Sequence, residues 1–354
     1  RAQALARARQ TLPSARGISD LLQVNRVEGI AVGAGVRRHL GHGVDLGLRA
    51  RLGTADREVK GAVTLGWQRA DGLAIQLAVG RDFRDAGDEA EVSRVRNSLA
   101  AQEWGADLAQ PYRATGATLT LSGRTRDRWR WAVEGAIDDH ETLEVHASPA
   151  RGTYGSTLAV FEGKGQRLGA RIERPGGPAG GLSDLRLRAD ARISRREGDG
   201  VSLSTGRIWA SVEGTRVTPL ADVRLRLAGG GVFGSDSVPA QELLYAGGPV
   251  TAPGYGFHQF RAKGLGQARL ELRRLGPFVP IPLGRWGRIP ATATWAPYAG
   301  VVAARAGESW TGSPLVGLGV EPFLQMVRVD VARGLRDGRW RIAVDVSRDF
   351  WPIL

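Results

Sequence analysis

The chain has 354 residues with 50 Gly, 17 Pro, 10 Trp and no Cys, enough for two ordinary domains or one large all-β unit. At 42% hydrophobic and 24% charged it is too apolar for disorder, and it lacks any run of about 18 uncharged apolar residues that would make a helical membrane span. The absence of Cys excludes a disulfide scaffold, a thiolate metal site and a cysteine nucleophile, while the formal charge of +13 rests on 46 arginines, the 49 basic residues less Lys60, Lys164 and Lys263. Arginine dominance beside so much Ala and Gly fits either coding bias or a role in handling anions.

Residues 1–22 carry no signal-type apolar core and read as a lead-in segment, in a chain that is processed or a piece of a longer one. From residue 23 to 354 the dominant regularity is period two. A first run covers 23–38. Val44, Leu46, Leu48, Ala50 and Leu52 then alternate with Asp45, Gly47, Arg49 and Arg51. Val59, Val63, Leu65 and Trp67 oppose Lys60, Thr64 and Gln68, and Leu73, Ile75, Leu77 and Val79 oppose Gln76 and Gly80. After a weaker run at 112–124, Trp129, Trp131, Val133 and Ile137 oppose Arg128, Arg130, Glu134 and Asp138. A run at 157–173 precedes Leu185, Leu187, Ala189, Ala191 and Ile193, set against Arg186, Arg188, Asp190 and Arg192. Further runs cover 203–217, 221–234 with Arg224 and Arg226, 264–274 with Arg269 and Glu271, 294–306 and 313–321. Val327, Val329 and Val331 then oppose Arg328 and Asp330, and Trp340, Ile342, Val344 and Val346 oppose Arg341, Asp345 and Ser347.

These runs amount to roughly fifteen strands, and the even-number preference of single-chain bacterial barrels raises the expectation to about 16, within about 14–16. A soluble sandwich also buries one strand face and wets the other. Three features favour a transmembrane antiparallel β-barrel instead. The runs last about 10–14 residues, which suits a tilted bilayer crossing, whereas sandwich strands usually stop near six. Their polar faces mix both charges with Gly, as a hydrated lumen would, and their apolar faces combine Val, Leu, Ala and Ile with Trp near the strand ends. Arg186, Arg188, Arg192, Arg224, Arg226, Arg269, Glu271, Arg328 and Asp330 are therefore assigned to the lumen.

Turn lengths give an orientation. Short connections fall at Thr54–Asp56, Ala70–Gly72, Thr218–Pro219 and Glu321–Pro322, and long ones at 85–111, 143–156 and 235–263. Outer-membrane barrels place long loops outside and short turns in the periplasm. With a periplasmic C-terminus all three long loops land outside, and the strand at 23–38 descends. A rising strand must come before it, from residues 12–22 or from chain further upstream. The Pro-rich stretch at 275–293 falls on the inner side despite its length.

Gln241-Glu-Leu-Leu-Tyr-Ala-Gly-Gly-Pro-Val-Thr-Ala-Pro-Gly-Tyr255, followed by the strand from Lys263 to Arg274, resembles the late long loop and next strand of bacterial surface antigen barrels, the superfamily of outer-membrane assembly and two-partner secretion proteins. Val24-Asn25-Arg26-Val27-Glu28-Gly29 is similar to the barrel start in a divergent branch. The resemblance implies a loop folded into the lumen, with Gly247, Gly248, Pro253, Gly254, Tyr255 and Arg261 as its candidate residues. In the family an Arg precedes the Gly-Tyr pair and meets an inner-wall acid. Here Pro253 stands at the Arg position and Tyr298 near the acid position, ahead of Gly300, so both partners are replaced together; Arg261 is the nearest replacement cation. Val344, Val346 and Phe350 resemble the terminal signal read by the outer-membrane assembly machinery, although Trp351–Leu354 continue past it.

No catalytic motif, phosphate loop or dinucleotide fingerprint is present, so no enzyme activity and no cofactor are expected. His140 and His146 near Asp138, Asp139 and Glu141 carry possible metal-ligand chemistry, with solvated loop charge as the expected state; His258 among Tyr255, Phe257 and Phe260 is expected to pack in its loop. Nucleic-acid binding is excluded because the arginines alternate along nearly every strand and interleave with acids, forming no single patch. Three functions follow in order: a barrel acting in protein insertion or secretion across the bacterial outer membrane, a passive pore or anchor for a fused domain, and a soluble β-rich binding protein. The expected partners are outer-membrane lipid and lipopolysaccharide, translocated protein substrates, and a periplasmic or fused domain upstream.

Overall fold

The computed structural model describes residues 11–15, 17–280, 282, 284–286, 288, 291–348 and 351. One long antiparallel ladder dominates them. It begins with β3 (Gly29–Gly41), β4 (Val44–Gly53), β5 (Val59–Gln68), β6 (Ala74–Asp85), β7 (Pro111–Arg124), β8 (Arg130–Glu141) and β9 (Gly163–Arg174). It continues through β10 (Asp184–Gly198), β11 (Val201–Val217), β12 (Asp222–Gly234), β15 (Gly264–Pro277), β16 (Thr292–Ala306), β17 (Ser309–Glu321), β18 (Val327–Gly334) and β19 (Trp340–Val346). Each strand pairs with the next in that series. A separate small hairpin, β13 (Leu244–Ala246) with β14 (Phe260–Ala262), lies within the loop between β12 and β15.

The run expected over 23–38 is divided. β2 (Leu22–Asn25) turns at residues 26–28 and pairs back on β3, while β1 (Thr11–Pro13) pairs with β3 further along, Thr11 opposite Arg38. The rising partner sought in residues 12–22 is thus present in two pieces separated by a short 3-10 turn at Ile18–Asp20. Among the described residues no register joins β19 to β1 or β2, so the ladder is not closed there.

Local chemistry explains the hairpins. Asp199 and Gly200 join β10 to β11 with φ of 49° and 74°, the double positive φ of a tight turn whose twist matches the strands. Alternate ends of the ladder collect different connections: 86–110, 142–162 and 235–263 lie at one end, with both described termini at the other. The 86–110 connection is more than a loop, because it holds helix α1 (Arg94–Trp104). Ser93 caps the N-terminus by accepting a hydrogen bond from the Arg96 N–H, and Gly105 stops the helix in the left-handed conformation.

Burial is inverted relative to a soluble protein. On β10, Ile193 is 59% exposed while Arg196 is 1% exposed. Leu48, Val63, Leu77, Leu168 and Leu270 are exposed along other strands, whereas Lys60, Arg207, Arg226 and Glu271 are buried. Soluble proteins almost never bury Lys, Glu or Arg fully unless paired, and do not present whole rows of Leu and Val outward. The core sits inside the wall: Trp209, Val232, Leu265, Tyr298 and Leu315 from the strands pack on Leu244 and Tyr255 from the 235–263 loop.

Candidate functional site

The inward positions of the strands form ionic clusters. Arg328 on β18 donates to Glu321 on β17 (2.8 Å), Glu271 on β15 (3.0 Å) and Asp330 (2.7 Å). Arg273 joins from β15, bonded to Glu271 (3.1 Å) and Glu321 (2.9 Å). Every charge here has a partner of opposite sign, as burial requires. Elsewhere Arg188 meets Asp190 (3.0 Å), Arg186 meets Asp184 (3.0 Å), and Arg224 lies 3.8 Å from Glu213.

A second set of wall arginines is answered by carboxylates carried on the loops. Arg207 and Arg226 pair with Asp88 and Glu89 of the 86–110 connection, and Arg192 pairs with Glu242 of the 235–263 loop (2.8 Å). The two loops also hold each other. Glu91 accepts hydrogen bonds from the N–H groups of Val250 (2.7 Å) and Thr251 (3.1 Å) and from the Thr251 hydroxyl. Burial pushes the Glu91 carboxyl up to about 7, against the Thr251 and Val250 hydrogen bonds that favour ionisation. Beside these contacts lies a cavity of about 430 Å³ bordered by Glu91, Arg188, Arg226, Arg269, Arg328 and Asp345.

The tip of the 235–263 loop lies against the wall near the end of the ladder. Tyr255 is 2% exposed and donates its hydroxyl to the Pro314 carbonyl (2.7 Å). The Gly254 carbonyl accepts from Arg341 on β19, and Pro253 is buried beside it. Gly248 and Gly254 exceed ordinary loop punctuation: both have positive φ (120° and 93°), and a Cβ would lie 2.7 Å from the Glu91 carboxylate in one and 2.6 Å from the Gly334 nitrogen in the other. Gly247, at φ 123°, similarly faces the Gly256 carbonyl. Arg261 is exposed on β14, opposite Tyr245, away from the wall acids. Tyr298, which the resemblance sets near the family's acid, is 5% exposed with the Arg269 guanidinium 5.5 Å over its ring; Arg269 also points at the Val250 carbonyl (3.4 Å).

Val344 faces outward and Val346 is half-buried, while Phe350 lies outside the described residues. His140 departs from the solvated state expected of it. It is 1% exposed, 3.1 Å from Asp138 and 2.8 Å from Arg196, with its ring tilted on Tyr112, because it ends an inward row of β8. His258 stacks on Phe257 with ring centres 3.9 Å apart, and burial pushes it down to about 4.

The sequence pattern gave no role to Glu91, Ser93 and Ser98 and placed Asp345 only on the polar face of its strand, yet these residues connect the 86–110 segment to its surroundings. Ser93 donates its N–H and its hydroxyl to the Asp345 carboxylate on β19, both at 2.6 Å. Ser98 accepts from the Val24 N–H on β2 (3.1 Å). The acidic run Asp85, Asp88, Glu89, Glu91 and the Ser93 and Gly105 helix stops were the available signals.

No protein-family model and no curated protein matches the chain. Among solved structures it is similar to BamA from Haemophilus ducreyi in a form lacking POTRA domains 1–3, at 11% identity and a TM-score of 0.60, covering 92% of this chain and 69% of that one. It is also similar to CdiB from Acinetobacter baumannii at 13% identity and a TM-score of 0.46, covering 95% of this chain and 58% of that one. The first of these shows that the chain has the fold of the BamA barrel, the fold implied by its resemblance to bacterial surface antigen barrels.

Proposed function

We propose that this chain is a bacterial outer-membrane barrel of the surface antigen superfamily that acts in inserting or secreting proteins. β1 and β2 count as one interrupted strand, giving sixteen crossings with the ladder. The long connections face outward, the termini face the periplasm, and the apolar rows face lipid and lipopolysaccharide.

The observation that carries the reading is that, among the described residues, no register joins β19 to β1 or β2. In hydrocarbon each unsatisfied backbone group costs several kcal/mol, so a passive pore or anchor gains by closing its ladder completely. A seam left open at a single place is what a barrel needs to release or receive a polypeptide. Loops that answer the lumen arginines with their own carboxylates also weigh against an open anion pore. The inverted burial weighs against a soluble binding protein.

The test is a disulfide across the seam in the full-length chain, Gln23→Cys with Ala343→Cys, in a 354-residue sequence that has no Cys of its own. Oxidation is expected to abolish export or assembly of the client protein in the native host, and reduction to restore it. Full function of the oxidised form would overturn the proposal in favour of a pore or anchor.

A further inference from the structure

The seam is crossed from within by α1. On one side its N-cap, Ser93, is bonded twice to Asp345 of β19. On the other, Ser98 bonds the Val24 N–H of β2, and Arg94 lies 3.5 Å from Asp20. Ser93 and Ser98 are five residues apart, a helical rise of about 7–8 Å, so one helical segment reaches both edges of the gap.

The contact with Val24 has a particular geometry. Ile30, which faces Val24 across the β2–β3 pair, directs its N–H to the Thr54 hydroxyl (3.1 Å) and its C=O to the Thr54 N–H (2.9 Å). Val24 and Ile30 are therefore a non-bonded pair, and the Val24 N–H points away from β3 into the seam. Ser98 takes that edge donor, the kind of group through which an added strand would pair. The base of the segment is fixed too: Asp107 accepts from the Arg26 N–H (3.1 Å) and from Asn97 (2.8 Å).

We propose that α1 is a clasp on the seam, joining β19 to β2 through side chains and blocking the β2 edge, so that the seam opens only when α1 withdraws. The clasp is independent of what passes through the barrel. Releasing Asp345 from its two hydrogen bonds to Ser93 is expected to raise the open population roughly tenfold, about 1.4 kcal/mol.

The experiment places spin labels at Leu22 and Val344, both outward-facing, and reads their separation by pulsed EPR in lipid vesicles. The parent should give one narrow distance. Ser98→Ala combined with Asp345→Asn should add a longer component, with folding checked independently by heat-dependent gel migration. If the double variant does not fold, Ser98→Ala alone carries the test, and Ser98→Thr, which keeps the hydroxyl, should return the narrow distance. An unchanged distance in a folded Ser98→Ala or double variant overturns the clasp.

Discussion

The Arg328 guanidinium on β18 lies 3.0 Å from the Glu271 carboxylate on β15, reaching across the inside of the wall past the two strands between them. The same guanidinium also serves Glu321 and Asp330, so removing it leaves buried Asp330 without its cation and leaves Glu271 and Glu321 with Arg273 alone. Arg328→Met is expected to destabilise the barrel by about 3–5 kcal/mol, the usual cost of breaking a buried ion pair from one side. Glu271→Gln should cost less, since Arg328 keeps Glu321 and Asp330, and Arg273 keeps Glu321. Urea unfolding in lipid vesicles followed by Trp fluorescence checks the order of the two.

Gly254→Ala tests the seat of the 235–263 loop. Its φ of 93° is hostile to a Cβ, and that Cβ would lie 2.6 Å from the Gly334 nitrogen and 2.7 Å from the Arg333 carbonyl carbon, both rigid backbone atoms. Left-handed strain alone costs about 1–2 kcal/mol, and the clash adds to it. The loop tip should leave its place, which protease cleavage near Gln259 would report, while the strands stay folded. Gly256→Ala, where the nearest atom to a Cβ is the Gln259 side chain at 3.4 Å, should leave the loop seated.

The ladder was legible because each strand solves the same local problem of one face for lipid and one for water, and period two records the answer at Leu46 and Leu48 as clearly as at Ile342 and Val344. The split of 23–38 was not legible. Val24 and Ile30 continue the alternation through the turn at residues 26–28, where Asn25 accepts from the N–H groups of Val27 and Glu28. The interior contacts were harder still. Arg207 and Asp88 are separated by 118 intervening positions of chain, and alternation says which way an arginine points without saying which loop answers it. The expected substitute cation, Arg261, failed to meet the wall because residues 260–262 form their own small hairpin with 244–246.

Loop carboxylates on wall arginines predict a conductance phenotype. Glu89→Ala leaves the buried Arg226 uncompensated and frees the acidic run from β12. The 86–110 segment should then dwell less often inside, and ion current through the barrel in a planar bilayer should rise. Arg226→Ala should raise it as well. Combining Glu89→Arg with Arg226→Glu restores opposite charges at the same place and should lower the current toward that of the parent. Equal currents in all four proteins would mean that the pair does not hold the segment.

Glu91 and His258 give the 235–263 loop two opposite pH dependences. The Glu91 carboxyl, raised from 4.5 to about 7 mainly by burial and further by Glu89, makes the seated loop bind a proton more tightly than the released loop. Its contribution to seating is present below pH 4.5 and is lost as pH rises through 7, a difference of roughly 3 kcal/mol at about 1.4 kcal/mol per tenfold change in proton affinity. His258, buried against Phe257 and Tyr245 and repelled by Arg26, is lowered from 6.5 to about 4. Its contribution is present above pH 6.5 and is lost as pH falls through 4. Between about 4.5 and 6.5 the two slopes offset each other, and above that window only Glu91 still titrates, loosening the loop. A spin label at the exposed Gln259 should therefore report a nearly constant mobile fraction up to about pH 6.5 and a rise beyond it. Glu91→Gln should remove the rise and expose the His258 slope, with mobility increasing as the solution is acidified. His258→Asn should do the reverse, with mobility climbing steadily from about pH 4.5 to 7; a pH profile unchanged by both substitutions would show that neither group is linked to the loop's seat.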